Sequence, residues 1–454
     1  MASISTPHTQ YVRRESPKSV NGSAVRPRRK SNSLGGEPRG DTGAAAMATL
    51  LEGSPPTTPT TPAGRSTDKP RHSKRRKAKT LFRRWKTISL RHTWLNPLII
   101  CLVMVGLYLL NPTPSNPLHS FLFLSYPLSR TAVPCAGCPA QTLYGKGRKD
   151  FCFVAFYTVF LSFTREFLMQ RLIRPLAIRA GIRSRGKQAR YMEQFYTAIY
   201  FAVFGPFGLY VMRYASPIWY FQTAPMFEGF PHREHVGLFK AYYLLQASYW
   251  TQQAIVLCLM LEKPRKDFKE LVAHHIITLS LIGLSYRFHF TTMGLAVYIT
   301  HDISDFFLAT SKVLNYIDSP ITGPYFGTFI GIWIYLRHYL NLRILWAVLT
   351  EFATVGPYEL NWETQQYKCW ISQIITFALL ASLQAVNLLW LAFILRIAYR
   401  YVATNVGKDE RSDDEEEEEE VEQAQTPEVL VNGQPIEEKQ ENQRNLRSRK
   451  KNGS

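Results

Sequence analysis

The run "LVAHHIITLS", residues 271–280, sets two adjacent histidines, His274 and His275, in otherwise apolar sequence. An ionisable side chain at membrane depth is costly unless it is paired, hydrated or used, so the meaning of this pair depends on whether the run crosses a bilayer. It does not stand alone. Apolar stretches of spanning length recur at 95–110, 151–172, 191–213, 241–261, 270–290, 292–312, 325–349 and 370–398, the first being the shortest. Lipid leaves no water for unpaired backbone groups, so such stretches are expected as helices. The fold expected is all-α: a polytopic membrane protein of about eight transmembrane helices between disordered tails.

The 454 residues are 46% hydrophobic and 13% aromatic, and the mean hydropathy of −0.14 averages two unlike materials. Residues 1–92, with "SPPTTPTTPAG" at 54–64, and residues 403–454, with "KDERSDDEEEEEEVE" at 408–422, are too polar to bury a core. Much of the net charge of +20 sits in the first 92 residues, where 20 Lys/Arg face five Asp/Glu. The densest basic run, "SKRRKAKTLFRRWK" at 73–86, abuts the first span, which favours anionic membrane lipid over nucleic acid as its partner. The loop 171–190 carries seven basic residues and no acid, and the loop 262–270 carries four. The positive-inside rule puts both in the cytosol and, with an even number of spans, both termini as well. Ser412, followed by Asp413, Asp414 and Glu415, fits an acidophilic kinase site. Cys135 and Cys138 in "PCAGCP" form the one CxxC, which suits either a local disulfide or two unpaired thiols.

Within the spans the ionisable residues cluster. His274 and His275 lie roughly 8 Å inside their span. The next span carries "THDISDFF" at 300–307, whose Asp305 and Asp302 lie roughly 10 and 15 Å from the same side. Glu270, one turn before His274, is expected to hold one of its ring nitrogens. "LRHYLNLR" at 336–343 adds Arg337, His338, Asn341 and Arg343, all expected to face the bundle interior. Three readings fit: buried interhelical pairs, a zinc or iron site, or acyl transfer. A di-iron oxygenase needs about eight histidines in HxxxH-type boxes, whereas this core offers His274, His275, His301, His338 and His289. No metal is therefore expected. In acyl transfer a histidine takes the proton of an amine or hydroxyl nucleophile, or the acyl group itself, while Asp302 stabilises the imidazolium.

With these residues assembled, the chain resembles the fungal ceramide synthases, the TLC-domain (Lag-type) sphingosine N-acyltransferases. The resemblance runs in order through "YWTQQ" (249–253), "LEKPRKDFKELVAHHIITL" (261–279), "FHFTTMGLAVYITHDISDFFLATSKVLNYI" (288–317), "WIYLRHYLNLRILWAVLTEF" (333–352), "NWETQQYKCWIS" (361–372), "FILRIAYR" (393–400) and "KDERSD" (408–413). It implies an endoplasmic-reticulum enzyme that joins a fatty acyl-CoA co-substrate to the amine of a sphingoid base, without a cofactor. It implies a six-helix TLC bundle with a central tunnel at 191–402, behind two earlier spans and a lumenal loop within 93–190. The family's essential histidines fall on His274 and His275, and its HDxxD acids on Asp302 and Asp305. Arg337, His338, Asn341 and Arg343 are then expected to bind substrate, Tyr249 and Trp250 to wall the tunnel, and Lys263, Arg265, Lys266 and Lys269 to meet CoA phosphates. The resemblance also implies phosphorylation at Ser412, a small single-span regulatory subunit, and dimerisation with a like chain or a paralogue. A TLC protein that binds or transports lipid without catalysis is the alternative, because a fold does not certify a chemistry.

Overall fold

The computed structural model describes residues 74–133, 140–262 and 267–404. Ser412, Cys135, Cys138, Lys263, Arg265 and Lys266 lie outside the described residues.

Each expected span is occupied by helix. In chain order the helices are α1 (Lys74–Arg91), α2 (Leu95–Leu109), α3 (His119–Leu122), α4 (Asp150–Leu168), α5 (Arg174–Arg179), α6 (Arg185–Ala215), α7 (Gly237–Cys258), α8 (Phe268–Arg287), α9 (Thr291–Tyr316), α10 (Thr322–Trp333), α11 (Asn341–Thr350) and α12 (Trp370–Thr404). Wider π-helical turns join α4 to α5 at Met169–Ile173 and α10 to α11 at Ile334–Leu340. Among the described residues three helical segments are long and apolar enough to cross a membrane: Asp150–Arg179, Arg185–Ala215 and Trp370–Ala403. A fourth counts if Phe82–Arg91 and Leu95–Leu109, bent by 106°, are taken as one.

The remaining helices fall short in length or apolarity for a reason that bears on function. α7 buries Lys240, Gln246 and Gln252; α9 buries His301 and Asp302; and the segment across α10 and α11 buries Arg337, His338 and Asn341. These inward-turned polar side chains dilute the hydropathy of α7, α9 and the α10–α11 segment, whereas α6 and α12 line the same interior and keep spanning apolarity.

The all-helical expectation needs one correction. β1 (Pro127–Ala132), β2 (Gln141–Tyr144) and β3 (His235–Val236) form a small antiparallel sheet in the order β1-β2-β3. Its strands are too short to show a period in sequence, and they lie between helices, where backbone groups can pair freely.

The core is continuous across α6, α7 and α9, with Tyr242, Val211 and Ile299 each fully buried. α6 and α9 pack along their lengths, α4 lies on α7, and α8 lies on α12. Gly208 on α6 permits a close approach to both neighbours: a Cβ there would come within 2.5 Å of the Tyr242 hydroxyl and 2.8 Å of Ile299. Packing at interior density leaves no slack for it.

Candidate active site

Two cavities meet at His274. The first, of about 240 Å³, is apolar. It runs from Trp250, His274 and His301 past Ile282 and Leu379 to Phe288, Trp362 and Tyr367. From His274 to Phe288, fourteen residues along α8 and its C-terminal cap, the chamber extends ~21 Å. That exceeds the ~15 Å of hydrocarbon that one bilayer leaflet supplies. The second cavity, of about 210 Å³, is the more polar of the two and is lined by His274, His275, Glu262, Asp305 and Arg337 among others. Trp250 and His274 line both.

The histidines differ in their bonding. His275 donates from Nδ1 to the Leu271 carbonyl at 2.9 Å, which fixes the tautomer and leaves Nε2 with its lone pair. His274 is buried between the rings of Trp250 and Trp390, with centroids 5.8 and 5.0 Å away. Its Nε2 lies 3.5 Å from the Thr278 hydroxyl, and its Nδ1 has no hydrogen-bond partner. Glu270 therefore does not hold His274 as expected; one helical turn brings the two residues near without aiming the carboxylate at the ring.

Asp302 and Asp305 part company. Asp305 pairs with Arg337 at 2.5 Å and lines the polar cavity. Asp302 is fully buried, lines neither cavity and bonds neither His274 nor His275. Its Oδ2 accepts from the Tyr242 hydroxyl at 3.0 Å and from Gln246 Nε2. Gln246 also donates to the Tyr242 oxygen at 2.9 Å and accepts from Tyr200 at 3.1 Å. Asp302 Oδ1 has no partner.

Arg337 organises the floor of the polar cavity. It donates to Ser304 Oγ at 2.6 Å, to Asn387 Oδ1 at 3.1 Å and to the His301 carbonyl at 3.4 Å, and its guanidinium lies 4.1 Å from the Trp333 ring centroid. Asn387 turns its amide nitrogen to His301 Nε2 at 3.2 Å, while His301 Nδ1 donates to the Val297 carbonyl at 2.8 Å. Gln384 donates to His338 Nδ1 at 2.7 Å.

Arg337, His338 and Asn341 are buried, and the π-helical turn that carries the first two is a frequent feature of functional sites. Arg343 is the exception: it is exposed. Positions 337, 341 and 344 repeat at helical spacing, and 343 falls off that face. Tyr249 is buried, stacked at 3.6 Å on Tyr200, and walls the polar cavity, whereas Lys269 is exposed. Among the described residues no group of three or more His, Cys, Asp or Glu is placed to hold a metal.

The TLC-domain family model matches residues 190–396, which take in every residue lining the two cavities. The sphingosine N-acyltransferase-like protein FUM17 of Gibberella moniliformis is 52% identical over 346 residues, covering 76% of this chain and 88% of that protein. The sphingosine N-acyltransferase lac1 of Schizosaccharomyces pombe is 53% identical over 323 residues, 71% of this chain and 81% of its own. The chain belongs to the TLC-domain sphingosine N-acyltransferase family. A further relative, the ceramide synthase LAG1 of Saccharomyces cerevisiae, is 52% identical over 333 residues, 73% of this chain and 78% of that one.

In this family member, reading the sequence for titratable groups overlooks the amides that hold them: Gln246, Gln384 and Asn387. The last two stand three apart in "ASLQAVNLLWLAF" (381–393), an otherwise apolar stretch. Polar residues sharing one face of an apolar span are a signal that could have found them.

Proposed function

We propose that the chain is a ceramide synthase that transfers a long or very-long fatty acyl group from acyl-CoA to the amine of a sphingoid base. The observation that carries this reading is that His274 is common wall to a polar cavity and an apolar one longer than a leaflet's hydrocarbon. The acyl chain lies in the apolar chamber, with its thioester at His274 and its CoA in the polar cavity. The amine nitrogen bonds to the thioester carbon, the carbon–sulfur bond breaks, and the CoA sulfur leaves. His275 Nε2 is set to take the amine proton and return it to that sulfur. His274 stands against the thioester carbon itself. Acyl-CoA is a co-substrate, and the scheme needs no cofactor.

The same reading places eight spans in the endoplasmic-reticulum membrane with both termini cytosolic, and a six-helix bundle at 191–402 around the two cavities. A single-span regulatory subunit, dimerisation with a like chain or a paralogue, and phosphorylation at Ser412 belong to it. So does a cytosolic basic patch of Lys263, Arg265, Lys266 and Lys269 at the CoA phosphates.

The test is amide formation by detergent-purified protein with its co-purifying subunits, given sphinganine and acyl-CoAs of graded length. Product is expected; its absence with every acyl-CoA, despite folded protein, would favour the lipid-binding alternative. Ile282 lies ~12 Å beyond His274 along α8. Ile282→Trp should therefore cut turnover of very-long acyl-CoAs on the order of tenfold while sparing shorter ones, since extra side-chain volume in a filled site carries about 1–3 kcal/mol of strain. An unaltered length profile would mean the chain does not occupy this chamber.

Asp302→Asn keeps an oxygen for Tyr242 and Gln246 but removes the charge. Asp302 reaches the reaction only through α7, whose Tyr249 and Trp250 wall the cavities, so the expected result is a loss of about tenfold in rate from misplaced walls at unchanged melting temperature. A rate equal to wild type would leave Asp302 a purely packing role.

A further inference from the structure

α1 is bent by 106° from α2 and exposes every described side chain from Phe82 to Ile88. Phe82, Trp85 and Ile88, spaced by three, follow one face. Arg83, Arg84, Lys86 and Arg91 fall on the other, with Leu90 among them. Two large aromatics on an open helix beside four cations suit one environment above others: the headgroup boundary of an anionic leaflet, where Trp and basic residues both gain.

The bend is fastened rather than loose. Asn96 Nδ2 donates to Ser89 Oγ at 2.5 Å across it. Thr93 donates to Glu166 at 2.5 Å and accepts from Gln170 at 2.6 Å, and Trp94 lies under the Arg171 guanidinium at 5.4 Å. From there the contacts continue inward. Buried Arg165 pairs with Glu166 at 2.6 Å and with Glu262 at 2.5 Å, and Glu262 lines the polar cavity.

We propose that α1 lies in the plane of the cytosolic leaflet as a dock for anionic phospholipid, and that the chain Thr93–Glu166–Arg165–Glu262 ties this dock to the rim of the polar cavity. A helix at ~90° to a spanning neighbour must run along the surface, and its aromatic face then sinks while its cations meet lipid phosphate and carboxylate. Holding α1 there holds Thr93 and, through two ion pairs, the rim residue Glu262. The docking half rests on α2, 15 residues and ~22 Å long, entering the bilayer with α1 outside its span; the coupling half rests also on the polar cavity receiving CoA.

The test uses the full-length protein in nanodiscs of brominated phosphatidylcholine with and without phosphatidylserine, comparing tryptophan quenching in wild type and Trp85→Phe. The Trp85 component should be quenched, and more strongly with phosphatidylserine. In Arg83→Gln/Arg84→Gln/Lys86→Gln each lost charge should cut partition of the helix onto the anionic surface roughly fivefold, removing that gain. The same triple variant should raise KM for acyl-CoA in phosphatidylserine discs and leave it unchanged in neutral ones. An unquenched Trp85, or quenching indifferent to phosphatidylserine, overturns the dock. Lipid-dependent quenching with KM unmoved overturns the tie to the cavity. Quenching needs no turnover, so failure of the ceramide synthase reading would show separately.

Discussion

His274→Ala abolishes amide formation: the expected loss is on the order of 10²- to 10⁴-fold in rate, the range a positioned acid–base or nucleophilic group supplies. Little else should change. The ring donates no strong hydrogen bond and touches mainly Trp250, His275 and Trp390, so its removal leaves no buried charge unpaired. Protein level and membrane extraction should match wild type. The measurement is initial CoA release and ceramide formation by the purified variant; turnover within tenfold of wild type would strike His274 from the reaction. His275→Ala gives a parallel test with one difference, since it also removes the second, side-chain hydrogen bond to the Leu271 carbonyl inside α8.

Legibility in the sequence followed the physics of each feature. Spans are legible because lipid demands long apolar runs, and each of the eight expected runs is helical. The histidine pair is legible because an imidazole in such a run is expensive. The pairing of Arg337 with Asp305 was half legible: depth placed both at the interior, but depth carries no azimuth. For that reason Arg343 was wrongly expected to face inward, Glu270 was expected on His274, and Asp302 was expected beside the histidines rather than against Tyr242 and Gln246 of α7. A helix face is fixed by its neighbours, and which helix neighbours which is a property of the bundle. Gln246, Gln384 and Asn387 are not legible in a reading for titratable groups, because they do not titrate, although they decide where the titrating groups point. The sheet was missed because strands of six, four and two residues are too short to carry a pattern.

The largest stability effect is expected at Arg337. Its guanidinium is buried, paired with Asp305, bonded to Ser304 and Asn387 and laid on Trp333. Arg337→Met fills much of the volume but leaves Asp305, a part-buried carboxylate 18% exposed to the cavity, without its paired guanidinium, which costs about 2–3 kcal/mol, below the figure for a fully buried pair. In a chain of this size that is a fall in melting temperature of about 2–5 °C, read by thermal unfolding in detergent. A variant that melts with wild type would mean that water or lipid already shares Asp305, and the pair would lose its structural role. The double variant Arg337→Met/Asp305→Leu separates structure from chemistry. Replacing both partners of a buried ion pair by apolar groups is often neutral or better, so its melting temperature should recover. Its activity should not, because Arg337 and Asp305 both line the cavity assigned to CoA. Recovery of both would make the pair scaffold alone and leave CoA to other residues of the cavity. Recovery of stability without activity would place the pair in contact with substrate, where a guanidinium held by four acceptors is already oriented before any thioester arrives.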